Sequence, residues 1–315
     1  ISYRLVGSEM CIRDRAGVGW LVKRCLEAGV SASEPDGRGG TPLHGAFYQI
    51  PIIGGRFSLE VVRMLLDAGA PVNAQNREGQ AALHLACRWV RDLAGVTLLL
   101  DRGADIRLKG EGGNEPIHFA AEFGKRPLLD LLKSRGADLE AKNRRGLTPL
   151  LHTVARHGFS NYGMEPLIDM GADVNATGKK GEAVIALWIS KNNRFSEIDH
   201  REHAKLTKLL SKGTKATGTN SSQTGLLHRL AKGEHHDLFP AAVAAGAPLN
   251  TTAKDGFSPL HNAAMHSDPA TVAALLKAGA DPKVGSTKVR KLRKQAFPKG
   301  LSLIHISEPT RRYEI

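Results

Sequence analysis

The side chains in this chain best suited to chemistry are its histidines and cysteines. His44, His84, His118 and His261 each stand fourth in a similar tetrapeptide: TPLH from Thr41, AALH from Ala81, EPIH from Glu115 and SPLH from Ser258. An imidazole titrates near neutral pH, so it can shuttle a proton or hold a metal ion. Catalysis would need a nucleophile or a carboxylate recurring with it at the same phase, and none recurs. Fixed phase argues instead for one structural hydrogen bond, repeated between neighbouring units. His228, His235 and His236 lie close together further along. A zinc site needs a fourth ligand in a pre-set geometry, and the sequence around them offers none. Cys25 and Cys87 have apolar neighbours, where a thiol acts as a small hydrophobe. With no disulfide framework and no metal spacing, we expect no cofactor, no metal, no catalysis and a reducing, cytoplasmic compartment, with the nucleus as the alternative.

The elements that carry these residues are plainest at Ser258 to Asp281, SPLHNAAMHSDPATVAALLKAGAD. Ser258 caps a helix starting at Pro259, since its hydroxyl can accept a backbone N–H and proline lacks the donor a first turn would waste. A turn at Ser267, Asp268 and Pro269 leads into a second helix, Ala270 to Ala278, with Val272, Leu275 and Leu276 at helical spacing. Gly279 stops that helix by taking a positive φ. Such a unit cannot bury its apolar faces alone and needs copies of itself.

The copies are present. Tetrapeptides of this type begin at Thr41, Ala81, Glu115, Thr148, Glu182, Gly225 and Ser258, with spacings of 40, 34, 33, 34, 43 and 33 residues. Each unit closes on a glycine-bearing stop such as LLDAGAPVN, LLKSRGADL or LIDMGADVN. An eighth, partial copy opens with a helix from Trp20 to Ala28. At these residues the sequence resembles the ankyrin repeat family, from about Gly19 to Pro282. The resemblance implies an all-α solenoid of stacked helix-turn-helix units joined by β-hairpin loops. It also implies a protein-interaction groove lined by the hairpin tips and the first helices.

The same landmarks set the expected organisation. Residues 16–36 form the partial repeat and residues 37–282 the array of seven units. The fifth unit, near 178–217, is degenerate: EAVIALWIS replaces the signature, and a polar insert separates its helices. Residues 212–223, rich in Gly, Ser, Thr and Asn, read as a flexible joint. The first full unit carries an insert, Ile50 to Phe57, that either folds over its own repeat or reaches a partner. The fourth has an extra leucine at Leu150-Leu151 and a longer turn around Ser160 to Gly163.

Residues 1–15 and 301–315 are set apart. One DNA segment read on its two strands encodes both, and that segment resembles the transposase end-sequence used in sequencing libraries. We expect both ends to be translated adapter, with further native sequence beyond 16 and 300.

Charge is localised. The chain carries a net +13. Residues 179–217 hold nine basic and four acidic side chains, and residues 283–299 seven basic and no acidic ones. Those two stretches account for almost all of the excess, which argues against a uniform nucleic-acid-binding face. The run at 288–294, KVRKLRK, within the tail 283–300, is either a solvated linker or a nuclear-import or phosphate-binding element. No membrane-spanning segment is evident.

The function expected is a non-catalytic protein-protein interaction module. Near the exposed ends of the first helices stand Tyr48, Arg88, Trp89, Phe123 and His157, and aromatic and arginine side chains are favoured as interface anchors. At the hairpin tips stand Arg77, Arg144, Arg145, Lys179 and Lys180, a basic rim suited to an acidic segment of a partner. The alternative is a targeting arm of a larger enzyme or channel whose working domain lies outside this stretch.

Overall fold

The structure, a computed structural model, describes residues 18–48, 58–89, 93–158, 162–191, 198–220, 223–233, 235–265 and 269–284. Both expected adapter segments, the 50–57 insert and the 288–294 run lie outside the described residues, as do Gln49 and His266, which the repeat phase sets near the exposed ends of first helices, and Arg91, which flanks Trp89 in sequence.

Fifteen α-helices follow one another among the described residues. They are α1 (Val18–Glu27), α2 (Pro42–Phe47), α3 (Leu59–Asp67), α4 (Ala82–Trp89), α5 (Leu93–Asp101), α6 (Pro116–Phe123), α7 (Arg126–Ser134) and α8 (Pro149–His157). Then come α9 (Met164–Asp169), α10 (Val184–Lys191), α11 (His200–Ser211), α12 (Leu226–Leu230), α13 (Phe239–Ala244), α14 (Pro259–Met265) and α15 (Pro269–Lys277). The chain divides into two compact units, residues 1–153 with 161–172 and residues 154–160 with 173–315, the division falling within α8.

Stacking in the first unit takes the form that the repeat spacing predicts. The first helices pack in series, α2 on α4 and α4 on α6. The second helices form a parallel series, α1 on α3, α3 on α5, α5 on α7 and α7 on α9. Within repeats, α2 meets α3, α4 meets α5 and α6 meets α7. The partial copy thus supplies α1 to the row of second helices. In the second unit α10, α12 and α14 make one series, while α11, α13 and α15 make the other.

The sequence dictates which faces meet. In α7, Leu128, Leu129 and Leu132 are buried while Arg126, Asp130 and Lys133 face water. Each buried leucine contributes about 2 kcal/mol of hydrophobic stabilisation. The degenerate EAVIALWIS stretch still forms α10, because Val184, Ile185, Leu187, Trp188 and Ile189 leave the helix apolar on most sides and bury together.

Hairpin-shaped turns connect the repeats, with no strand among the described residues beyond one isolated bridge, Thr219 to Gly225. At the second tip the Asn76 N–H donates to the Gln80 carbonyl at 2.9 Å and the Gly79 N–H to the Asn76 carbonyl at 2.8 Å. The same two bonds close residues 36–40, 110–114, 143–147, 178–182, 220–224 and 253–257. The fourth residue of each tip takes a positive φ, and it is glycine everywhere except at Gln223, where φ is 59°. Neighbouring tips are also tied together, by Arg77 N–H to the Arg38 carbonyl at 3.0 Å and Arg144 N–H to the Gly112 carbonyl at 2.9 Å.

The stretch that reads as a joint, 212–223, carries several bonds in the second unit. Thr214 donates to the Leu209 carbonyl at 2.8 Å, the Lys215 N–H to Asn175 Oδ1 at 2.7 Å, and the Ala216 N–H to the Ala245 carbonyl at 2.8 Å.

Candidate partner-binding face

The recurring histidines hold the repeats together. In His44, His84, His118 and His228 the Nδ1 accepts the backbone N–H of the first residue of its own tetrapeptide, at 3.0–3.2 Å. That leaves the proton on Nε2. Nε2 donates onward to a carbonyl before the next unit: His44 to Gln80 and His84 to Leu108 at 2.8 Å, His118 to Leu147 and His228 to Phe257 at 3.2 Å. Burial pushes all four imidazoles toward the neutral form, His118 down to about 4 with the neighbouring His152 adding to the effect. With both nitrogens engaged, these rings offer a substrate neither a lone pair nor a proton. His228 belongs to this row and is not grouped with His235 and His236. His235 lies beside the His203 ring, at 5.3 Å between centroids, and His203 Nε2 is 3.0 Å from Asp237. Among the described residues no cluster of three or more His, Cys, Asp or Glu could hold a metal ion.

The fourth and fifth repeats break the row. The fifth has Ile185 at the histidine's place, and the extra leucine of the fourth puts Leu151 there and moves His152 one place on. His152 Nε2 then donates back to Glu122 Oε1 at 2.9 Å, in a site where both side chains are buried. Asn143 Nδ2 bridges Asn114 Oδ1 at 2.9 Å and His152 Nδ1 at 3.4 Å.

The residues named from sequence as partner contacts fall into two sets. The first unit holds Tyr48, Arg77, Arg88, Trp89, Phe123, Arg144 and Arg145; the second holds His157, Lys179 and Lys180. Tyr48 caps the end of α2 and its hydroxyl accepts from Asn76 Nδ2 at 3.3 Å. Trp89 ends α4 and Phe123 ends α6, and their ring centroids lie 6.4 Å apart. They remain 41% and 42% exposed, whereas Phe119, one turn before Phe123, is buried. The Arg88 guanidinium lies 5.1 Å from the Trp89 ring and 5.6 Å from the Phe119 ring. Lys125 Nζ stands 5.6 Å from the Phe123 ring. Arg77, Arg144 and Arg145 are exposed on their tips. The tip between them, Gly110 to Asn114, carries Glu111, whose carboxylate accepts from Gln80 Nε2 at 3.0 Å. His157, Lys179 and Lys180 are exposed in the second unit.

Sequence reasoning misses three things. Tyr162, in the longer turn of the fourth repeat, is an exposed aromatic whose backbone packs against Gly124, next to Phe123. Phe119 forms one side of the Arg88 site. The asparagines closing several stop signals also link repeats: Asn73 donates to the Gly103 carbonyl and accepts the Asp105 N–H, and Asn175 does the same with Gly213 and Lys215. Their recurrence four residues after the stop glycine is a usable signal.

A three-copy ankyrin repeat family model matches residues 11–110 and 91–178, and a many-copy ankyrin model matches residues 227–281. The chain belongs to the ankyrin repeat family. Within this ankyrin array the matches stop at 178 and resume at 227, on either side of the degenerate fifth repeat. The array is similar to E3 ubiquitin-protein ligase KEG of Arabidopsis thaliana, 26% identical over 262 residues, covering 71% of this chain and 16% of that protein. It is also similar to the putative ankyrin repeat protein FPV234 of fowlpox virus, 37% identical over 67 residues, covering 21% of this chain and 16% of that protein. The ankyrin chain therefore spans about a sixth of each relative's length. No described helix is long and apolar enough to cross a membrane.

Proposed function

We propose that this ankyrin array captures another protein on the face of its first unit where Tyr48, Trp89 and Phe123 stand, with Arg77, Arg144 and Arg145 on the tips above. The observation that carries this reading is the Trp89–Phe123 pair, two large rings side by side and each about two-fifths exposed. Large aromatic side chains bury much area for little rotamer entropy, which makes them frequent anchors of protein interfaces. Held at the ends of packed helices, they lose little further freedom on binding. The tips carry more basic than acidic side chains, which favours a partner with an acidic segment. In the second unit, taken by itself, the exposed Lys179, Lys180 and His157 are proposed as separate partner contacts. The test compares the full chain with a Trp89→Ser/Phe123→Ser variant as bait in cells of its source. Proteins retained by the former and lost from the latter, with melting temperatures unchanged, support the reading. An identical retained set refutes it.

A second reading is supported by the similarity to a ubiquitin ligase of which this stretch matches 16%. In it the array is the targeting arm of a larger enzyme, and the captured protein is that enzyme's substrate. The full-length reading frame decides the matter: a catalytic domain on the same chain supports this reading, and a frame ending in ankyrin repeats removes it.

A further inference from the structure

Arg88 is the basic side chain on this face whose surroundings are most unusual. Its Nε is buried and has no hydrogen-bond partner among the described residues. Three arginines of the first unit are matched with carboxylates: Arg102 with Asp67 at 2.7 Å, Arg126 with Asp130 at 2.9 Å and Arg135 with Asp101 at 2.8 Å. No described carboxylate forms an ion pair with Arg88. The acid at the equivalent place in the next repeat is Glu122, one residue before Phe123 as Arg88 is one before Trp89. Its carboxylate accepts from His152 instead, at 2.9 Å. The inserted leucine of the fourth repeat thereby engages the acid that stands at Arg88's place in the repeat.

We infer that Arg88 reads a carboxylate on the captured segment, so that the first unit selects a short stretch in which Asp or Glu stands beside an aromatic or large aliphatic residue. This rests on the binding face proposed above and specifies its partner. The guanidinium already lies over the Trp89 and Phe119 rings at 5.1 and 5.6 Å, so its planar donors are set before the partner arrives. A carboxylate there makes a charge-assisted hydrogen bond in a partly dry site, where it is strongest. The neighbouring Trp89 and Phe123 rings, 6.4 Å apart, take the apolar side chain. Nearby charge favours the same partner: Lys125 lies over Phe123, and Arg77, Arg144 and Arg145 outnumber Glu78 and Glu111 on the tips.

The experiment uses the full chain and synthetic peptide pools with a fixed central pair, Trp-Glu, Trp-Gln, Ala-Glu or Ala-Gln, in otherwise random sequence. Retention is read at low and high salt, beside the variants Arg88→Met, Arg88→Lys and Trp89→Ser/Phe123→Ser. The Trp-Glu pool should be preferred over Trp-Gln by about tenfold at low salt. Arg88→Met, which keeps the aliphatic stem, should erase that preference while retaining Trp-Gln at the wild-type level. Arg88→Lys should keep part of it. If Arg88→Met folds, by circular dichroism and melting, and still prefers Trp-Glu, the inference is overturned while the face reading survives. If wild type retains no pool better than Trp89→Ser/Phe123→Ser does, the face itself has failed and the inference falls with it.

Discussion

His152 Nε2 donates to Glu122 Oε1 across 2.9 Å, and both side chains are buried. At His44, His84, His118 and His228 the imidazole reaches forward to a carbonyl, while here it turns back to a carboxylate. One inserted leucine accounts for the difference, because a helix advances each successive side chain by about 100°.

Removing one member of a buried, hydrogen-bonded pair leaves the other uncompensated. Glu122→Ala should therefore lose about 3 kcal/mol of unfolding free energy in urea titrations. The double change Glu122→Leu/His152→Leu should lose less, since neither polar group then remains to be satisfied. A double variant less stable than Glu122→Ala would contradict this account.

Acid should loosen the array through its neutral histidines. Burial holds the folded His118 at about 4, below the ordinary histidine value, so the unfolded chain binds the proton first. The stability this contributes is complete above about pH 6.5 and drains away as pH falls toward 4. At pH 5 His118 alone accounts for about 2 kcal/mol, and His44, His84 and His228 act in the same direction. Thermal melts from pH 7.5 to 4.5 should show a falling midpoint, with a shallower slope in His118→Gln.

Gln223 holds a positive φ at the tip position where the other repeats have glycine. Gln223→Gly should stabilise the second unit by about 1 kcal/mol, because the left-handed conformation costs a side-chain-bearing residue roughly that much. Loss of stability in a denaturant titration would mean that the glutamine side chain makes contacts outweighing the backbone strain.

Gly163 lies with its Cα close over the Ala121 carbonyl, and a Cβ there would overlap that oxygen. Gly163→Ala should cost at least about 2 kcal/mol, because the obstacle is backbone at the end of α6 and cannot swing aside. Near-wild-type stability would show that the turn holding Tyr162 can lift away without penalty.

Much of the fold is legible in the chain because it is local. Thr41, Pro42 and His44 announce a helix start, Gly69 a stop, and Asn76 with Gly79 a tip, each within a handful of residues. The repeat then multiplies the signal, so stacking results from surfaces that have nothing else to cover them. The features that stay hidden depend on partners a full repeat away. The Glu122–His152 pair requires knowing how α8 answers an inserted leucine. Phe119 beneath Arg88 comes from the neighbouring helix, and no local pattern joins them. Nearness in sequence groups His228 with His235 and His236, yet its bond goes to Phe257, 29 residues on. The basic rim is legible as composition, but the Glu111-Gly112-Gly113 tip interrupts it between Arg77 and Arg144.

The forward-reaching imidazoles give the array a grain. A repeat shorn of its predecessor keeps its own histidine bonded at both nitrogens. A repeat shorn of its successor leaves an Nε2 proton pointing at nothing the protein supplies, at the very edge that must now meet water. Trimming from the amino end should consequently be forgiving and trimming from the carboxyl end should not, which tells an engineer of shorter versions to cut after a tip such as 76–80, whose Gln80 carbonyl holds His44, and never before it.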